Sequence, residues 1–119
     1  MRSIIRSSSQ LSELRASVRR DVATPGDNER VIADFVMAVN EVVAAALSAG
    51  TGDTASLDVR WLRRTQPCVE LYAEIRNTAG TPTALLHDGI VLRVLQHVAE
   101  RVDIEERIAG SVITVRSRL

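Results

Sequence analysis

The chain has 119 residues, of which 45% are hydrophobic and 25% charged, and its 15 basic side chains balance 15 acidic ones. This composition predicts one globular domain, residues 1–119, whose core needs no metal or disulfide support. A formal net charge of zero gives no electrostatic case for direct binding of nucleic acid or of an anionic membrane. Every basic residue is arginine, which excludes Schiff-base lysine chemistry and a Walker-A phosphate loop.

Cysteine and histidine are too sparse for most metal and redox chemistry. Cys68 is the only cysteine, so no intrachain disulfide can form, and we expect a reducing, cytoplasmic location. The only histidines, His87 and His97, match none of the short spacings of metal ligands. No apolar run approaches the roughly 20 residues that cross a bilayer, and the charged N-terminal residues are unlike an export signal.

The N-terminal half predicts a short strand and two helices. Ile4 and Ile5 form a possible edge strand. After three serines, apolar residues at helical spacing predict an amphipathic helix over Leu11–Val22. A Thr-Pro-Gly break follows, and Asp27 or Asn28 can cap a second, longer helix over Glu29–Ala49.

The remaining chain changes to the period of two that is typical of strands. Residues 57–62 and 69–76 alternate and predict an antiparallel hairpin around a turn at 64–67. A loop at 77–87, a third helix ending near Arg101 and strands at 102–106 and 111–116 complete the order β-α-α-β-β-α-β-β. The prediction is an α+β two-layer sandwich, a mostly antiparallel mixed sheet with about three helices on one face.

The second helix also has a polar stripe. At about 100° per residue, Glu41 falls well away from the apolar stripe that must meet the sheet. It can belong to a solvated face or to a functional one. The predicted polar stripe contains Asp34, Ala38, Glu41, Ala45 and Ser48, and the apolar stripe Phe35, Val39 and Val43.

Residues 38–49, AVNEVVAAALSA, resemble the N-box helix of the histidine-kinase-like (GHKL) ATPases, especially the small bacterial anti-sigma factor serine kinases. In that family the helix carries a Glu that acts as general base and, four residues later, an Asn that binds Mg²⁺. Residues 15–22 resemble the family's first helix and 71–80 the strand entering its D-x-G-x-G turn. Residues 89–102 resemble its second glycine box and following helix, and 110–119 its closing strand. The resemblance implies the fold of this family.

The resemblance also implies that the nucleotide site is degenerate. Glu41 keeps the acidic position as a vestigial base, but Ala45 replaces the Mg²⁺ ligand, so no metal is expected. Asn77 and Ala79 stand in place of D-x-G, the turn that reads the adenine of ATP in the family. There the Cβ of Ala79 crowds the adenine ring. In the second glycine box Gly89 is kept while Val91 replaces a glycine at the phosphate-binding turn. The best-preserved pair is Gly110 and Ser111.

By resemblance, the chain is a bacterial regulator of the anti-sigma-factor type that acts by protein contact, with weak or lost ATP binding and kinase activity. Its expected partners are a sigma factor, an anti-anti-sigma (STAS) protein or both. A homodimer is also expected, with the first helix and its Arg15, Arg19 and Arg20 at an interface.

Two other functions stay open. One is an active ATP-dependent serine-protein kinase that phosphorylates an anti-anti-sigma partner, with ATP and Mg²⁺ as cofactors only if the degenerate site still functions. The other is a remnant of a two-component sensor, although the sequence holds no preceding helix with an acceptor histidine.

A few residues outside these motifs have two interpretations each. Trp61 is a core residue or an interaction hot spot. Cys68 is an incidental thiol or a redox group. Arg60, Arg63 and Arg64 cluster around the hairpin turn, as a solvated turn or as a patch for phosphate or an acidic partner.

Overall fold

The computed structural model describes residues 1–49, 56–77, 101–107 and 110–119. These residues form five β-strands and two α-helices, which follow one another along the chain in the order β1-α1-α2-β2-β3-β4-β5. The element bounds are Arg2–Ile5 (β1), Leu11–Val22 (α1), Glu29–Ala49 (α2), Leu57–Arg64 (β2), Glu70–Asn77 (β3), Arg101–Arg107 (β4) and Gly110–Arg118 (β5).

The five strands form one sheet in the order β1-β2-β3-β5-β4, and every described pairing is antiparallel. β5 therefore inserts between β3 and β4, although it follows β4 in the chain. The hairpin register sets Trp61 opposite Ala73. On the other side of β3, Ala73 also pairs with Val115 of β5. These pairs put one apolar row across the three central strands.

Local polar groups define where both helices begin. A short 3-10 helix, Ser8–Gln10, precedes α1, and the Gln10 side-chain oxygen accepts hydrogen bonds from the backbone N–H of Arg6 and Ser7. At α2, the Asn28 side-chain oxygen accepts from the N–H of Arg30 at 3.1 Å. Asn28 is thus the cap of α2 among the two predicted candidates.

Both helices cover the same face of the sheet, and the core lies between the two layers. Phe35 is the largest side chain that is completely buried there. The buried cluster combines α1, α2, β1, β2, β3 and β5: Ile5, Leu14, Val18, Val22, Ile32, Phe35, Val36, Ala38, Val39, Val42, Val43, Ala46, Leu57, Val59, Trp61, Leu71, Ala73, Ile75, Ile113 and Val115. The opposite side of the sheet, here called the open face, carries the alternate residues of each strand, most of them charged.

The observed architecture confirms the α+β sandwich with helices on one face. The predicted edge strand, both N-terminal helices, the hairpin and the last two strands are present. Two boundaries were wrong, because Arg64 ends β2 instead of starting the turn and Arg101 begins β4 instead of ending a helix. The rest of the predicted third helix and the 77–87 loop beyond Asn77 lie outside the described residues. No helix among the described residues is both long and apolar enough to span a bilayer.

Candidate functional site

The candidate catalytic face lies on the C-terminal half of α2. Glu41 and Ala45 are four residues apart, so they share a side of the helix, and both are partly buried. The Ala45 methyl group packs against the edge of the apolar core. Within the described residues the Glu41 carboxylate has no hydrogen-bond or ion-pair partner. Glu41 is also not a member of the core cluster.

One member of the predicted polar stripe was placed wrongly. Ala38 is completely buried and belongs to the core cluster, whereas Asp34, Glu41 and Ala45 are only partly covered. The buried residues of α2 span a wider arc than the stripe through Phe35, Val39 and Val43 alone, and Ala38 lies at one edge of that arc.

Two strands bring other predicted site residues together. Asn77 is the last residue of β3 and pairs directly with Ser111, the second residue of β5. Gly110 begins β5 opposite Arg107. The predicted adenine-reading residue and the predicted closing pair thus meet at one end of the two central strands. Three other predicted residues, Ala79, Gly89 and Val91, lie outside the described residues.

In the described parts of the chain, no three side chains of His, Cys, Asp or Glu come together in a way that could hold a metal ion. On α2 itself, the position four residues after Glu41 offers only a methyl group, which cannot coordinate a cation.

The α1 arginines that were expected at an interface make contacts within the chain. Arg15 donates to the Asn40 side-chain oxygen on α2 at 2.8 Å. Arg19 forms an ion pair with Glu29, the first residue of α2. Arg20 stays largely exposed, 3.5 Å from the carboxylate of Asp21. Two of the three therefore help to join α1 to α2.

Trp61 is a core residue. Its side chain is buried beneath α1, and its indole N–H donates to the Asp21 side-chain oxygen at 2.8 Å. A buried indole N–H needs such an acceptor, because leaving it unpaired costs about 1–3 kcal/mol. The indole ring is therefore not displayed for a partner.

The arginines around the hairpin turn do not form one cluster, because alternation along β2 separates them. Arg63 reaches toward the helices. It donates to both carboxylate oxygens of Asp27, at 2.6 and 3.0 Å, and to the backbone oxygen of Val22 at the end of α1. The hydrogen bond from Arg63 is the main reason why the pKa of Asp27 lies below its ordinary value, with a second contribution from the N–H of Thr24. Arg63 thus ties β2 to the connection between the helices.

On the open face, Arg60 lies beside a carboxylate that serves two arginines. Asp58 accepts two hydrogen bonds from Arg2, at 2.8 and 3.1 Å, and one from Arg60 at 3.3 Å. The bond from Arg2 is the largest cause of the lowered pKa of Asp58, and the bond from Arg60 acts in the same direction. Two positive charges therefore share one negative charge.

Further along the open face, an aromatic ring lies between two cations. The guanidinium carbon of Arg64 is 4.4 Å from the centre of the Tyr72 ring, and that of Arg116 is 5.5 Å from it. A groove of about 610 Å³ runs beside this ring, between β1, β2 and β3. Sequence reasoning noticed Arg60 and Arg64 but missed Tyr72 and Arg116, because cross-strand pairing brings them together.

The chain shares its fold with histidine kinase domains of known structure. A comparison with protein families finds no match, and neither does one with curated proteins. Among solved structures, the histidine kinase domain from the Erythrobacter litoralis EL346 blue-light activated histidine kinase superposes with a TM-score of 0.64 at 14% identity, covering 93% of this chain and 60% of that one. A second structure of that blue-light activated kinase gives 0.64 at 13% identity, over 97% of this chain and 42% of that one.

A relative with a different domain composition matches equally well. The structure of the RsbU and RsbW domains of Rv1364c from Mycobacterium tuberculosis gives a TM-score of 0.67 at 18% identity, covering 100% of this chain and 32% of that one. The chain therefore spans between about a third and three-fifths of these proteins. At such low identity the likeness shows the shared fold.

Proposed function

We propose that this chain is a bacterial regulator of the anti-sigma-factor type that uses the histidine-kinase ATPase fold to contact other proteins, with weak or lost ATP binding and kinase activity. The fold it shares with an RsbW domain, of the anti-sigma factor kinase type, supports the regulatory part of the proposal. The proposed partners are a sigma factor, a STAS-type anti-anti-sigma protein or both, and the proposed state is a cytoplasmic homodimer.

One observation carries the loss of catalysis. Ala45 shares a face of α2 with Glu41, at the position where the resemblance implies a Mg²⁺-binding Asn, and its methyl group packs on the core instead. Without that ligand the phosphates lose a cation that would neutralise their charge. Losing one such electrostatic contact at a reacting centre costs a few kcal/mol of transition-state stabilisation, or orders of magnitude in rate.

The proposal is tested by calorimetric titration of the purified protein with ATP, with and without Mg²⁺. We expect weak binding that Mg²⁺ does not strengthen. The variant Ala45→Asn with Val91→Gly restores the ligand and the phosphate-binding turn, and its affinity should become Mg²⁺-dependent. The single variant Ala45→Ser serves as control, because it adds a polar atom without the amide's reach. Micromolar binding by the natural chain that tightens with Mg²⁺ would contradict the proposal.

The second candidate is the active serine-protein kinase. It is favoured by the partly buried Glu41 carboxylate, which has no partner among the described residues, because a general base must be free to accept a proton. A transfer assay with radiolabelled ATP and a STAS-domain substrate tests it. Phosphate transfer that disappears in Glu41→Gln but survives in Asp34→Asn, a carboxylate on the same helix, would establish the kinase. If no phosphate transfer above background is found, the regulator that acts by protein contact is the candidate that is retained.

A further inference from the structure

The groove on the open face has more positive charge along its walls than its own carboxylates neutralise. Arg2, Arg60 and Arg64 line it, together with Glu74. Arg2 and Arg60 share the single carboxylate of Asp58, as described above. Glu74 is already committed, because it pairs with a fourth arginine, Arg76, at 3.0 Å. The groove therefore keeps a net positive wall.

The strongest imbalance lies at the Tyr72 ring. Arg64 and Arg116 both stack on that ring, and neither has an ion pair within the described part of the chain. The Nε atom of Arg116 is buried and has no hydrogen-bond partner there. Glu70 is directly opposite Arg64 in the strand register, yet the two do not form an ion pair. Two like charges on one ring, with a buried N–H unpaired, are costly unless an anion joins them.

We propose that the Arg64–Tyr72–Arg116 cluster and its adjoining groove bind an acidic segment of a partner protein, with side-chain carboxylates of that segment paired to Arg64 and Arg116. This deepens the proposed function, since it rests on a protein contact and names that contact's chemistry. The planar guanidinium fork matches a carboxylate through two parallel hydrogen bonds. Stacking on Tyr72 holds both guanidinium groups in place before the partner arrives, which reduces the entropy lost on binding.

The composition of the groove favours a polypeptide over a nucleic acid. Leu62 is 41% exposed and lines the groove beside Tyr72, so an occupant must offer apolar as well as charged groups. Arginine, tyrosine and methionine are enriched in protein interfaces, and the groove contains all three, Met1 being the methionine. The chain as a whole has no excess of positive charge, which a phosphate backbone would select.

The test uses fluorescence anisotropy of a fluorescein-labelled peptide, Glu-Glu-Leu-Glu-Glu-Leu-Glu-Glu, titrated with the full chain at low and at high ionic strength. We expect saturable binding that weakens with salt. The double variant Arg64→Gln, Arg116→Gln should weaken it at least about tenfold, which is about 1.4 kcal/mol. The matched control Arg6→Gln, Arg30→Gln removes the same charge at two exposed positions that do not line the groove, and it should bind as the natural chain does.

Two variants of Tyr72 distinguish the contribution of ring stacking to binding from the contribution of charge. Tyr72→Phe keeps the ring and should bind normally, whereas Tyr72→Ala releases both guanidinium groups and should weaken binding without changing the charge. Unchanged fluorescence of the buried Trp61 reports that each variant is folded. The peptide titration is independent of the ATP titration, so either can fail alone.

Four results would overturn this inference. The first is no saturable binding of the peptide by the natural chain, and the second is equal binding by the Arg64, Arg116 double variant. The third is tighter binding of a single-stranded oligonucleotide than of the peptide, which would assign the groove to phosphates. The fourth is self-association, measured by sedimentation, that the double variant abolishes, because a second copy of the chain would then occupy the open face.

Discussion

The contrast between Phe35 and Glu41 tests whether the two-layer packing, and not the candidate catalytic face, stabilises the fold. Phe35 has no solvent exposure and lies among the buried residues that join the helices to the sheet. Truncating a fully buried Phe to Ala removes its apolar contacts and leaves a cavity, at a cost of about 3–5 kcal/mol. A domain of this size is stable by about 5–15 kcal/mol, so Phe35→Ala removes a large share of the total.

Glu41→Ala should cost less than about 1 kcal/mol, because the carboxylate is partly exposed and has no partner in the described residues. Alanine also favours the helix slightly more than glutamate does.

Urea unfolding followed by the emission of Trp61, the only tryptophan, measures both variants. With a urea m-value of about 2 kcal/mol/M, the Phe35→Ala midpoint should fall by roughly 2 M, while Glu41→Ala should stay within about 0.5 M of the natural chain. The conservative variant Phe35→Leu should fall in between, because it keeps most of the buried volume. If Glu41→Ala lost as much stability as Phe35→Ala, the assignment of the faces of α2 would be refuted.

Two further predictions concern polar contacts between the layers. Asp21→Ala should destabilise the chain by about 1–3 kcal/mol, since it leaves the Trp61 indole N–H buried without an acceptor. Asp21→Asn keeps an oxygen acceptor and should cost less. Equal losses of stability in thermal unfolding would contradict the hydrogen bond. The lowered pKa of Asp27 means that the folded state binds its proton less readily than the unfolded state, so this contact stabilises the fold above the unfolded pKa of about 3.9 and is lost as the pH falls through the folded pKa. Melting temperatures of the natural chain and of Arg63→Gln should therefore converge on acidification below about pH 4, and parallel curves down to pH 2 would show that Arg63 does not act through Asp27.

Two of the three α1 arginines, Arg15 and Arg19, contact α2, so substituting them affects more than an interface. Reversing the charge of Arg15 and Arg19 would test α1 as a partner surface. Because Arg15 binds Asn40 and Arg19 pairs with Glu29, that change would also loosen the contact between the two helices. The exposed Arg20 is therefore the better position on α1 for testing a partner surface.

Periodicity in the sequence was sufficient for much of the fold. Apolar spacing predicted α1 and α2 over the ranges that the structure shows, and the alternation at residues 57–62 and 69–76 predicted the hairpin. These signals are local, since a helix or strand must bury one face and its side-chain period is determined by backbone geometry. The resemblance of α2 to an N-box helix likewise needed only contiguous residues.

Strand order and cross-layer contacts depended on tertiary structure. No local pattern indicates that β5 lies between β3 and β4, because strand order is a matter of how distant segments meet. Ala38 was likewise assigned to the polar stripe, although it is completely buried in the folded chain. The ion pair between Arg63 and Asp27 spans 36 residues of chain.

The Arg64–Tyr72–Arg116 cluster shows the same division on a smaller scale. Once β2 is seen to extend to Arg64, alternation along the hairpin strands puts Arg64 and Tyr72 on one face. Arg116 joins them only because β5 pairs with β3 in a register that sets Arg116 opposite Tyr72. A shift of one residue would send its side chain to the core side, since neighbouring residues of a strand point to opposite faces. Sequence thus determined which residues could share a face, and the long-range register decided which of them meet.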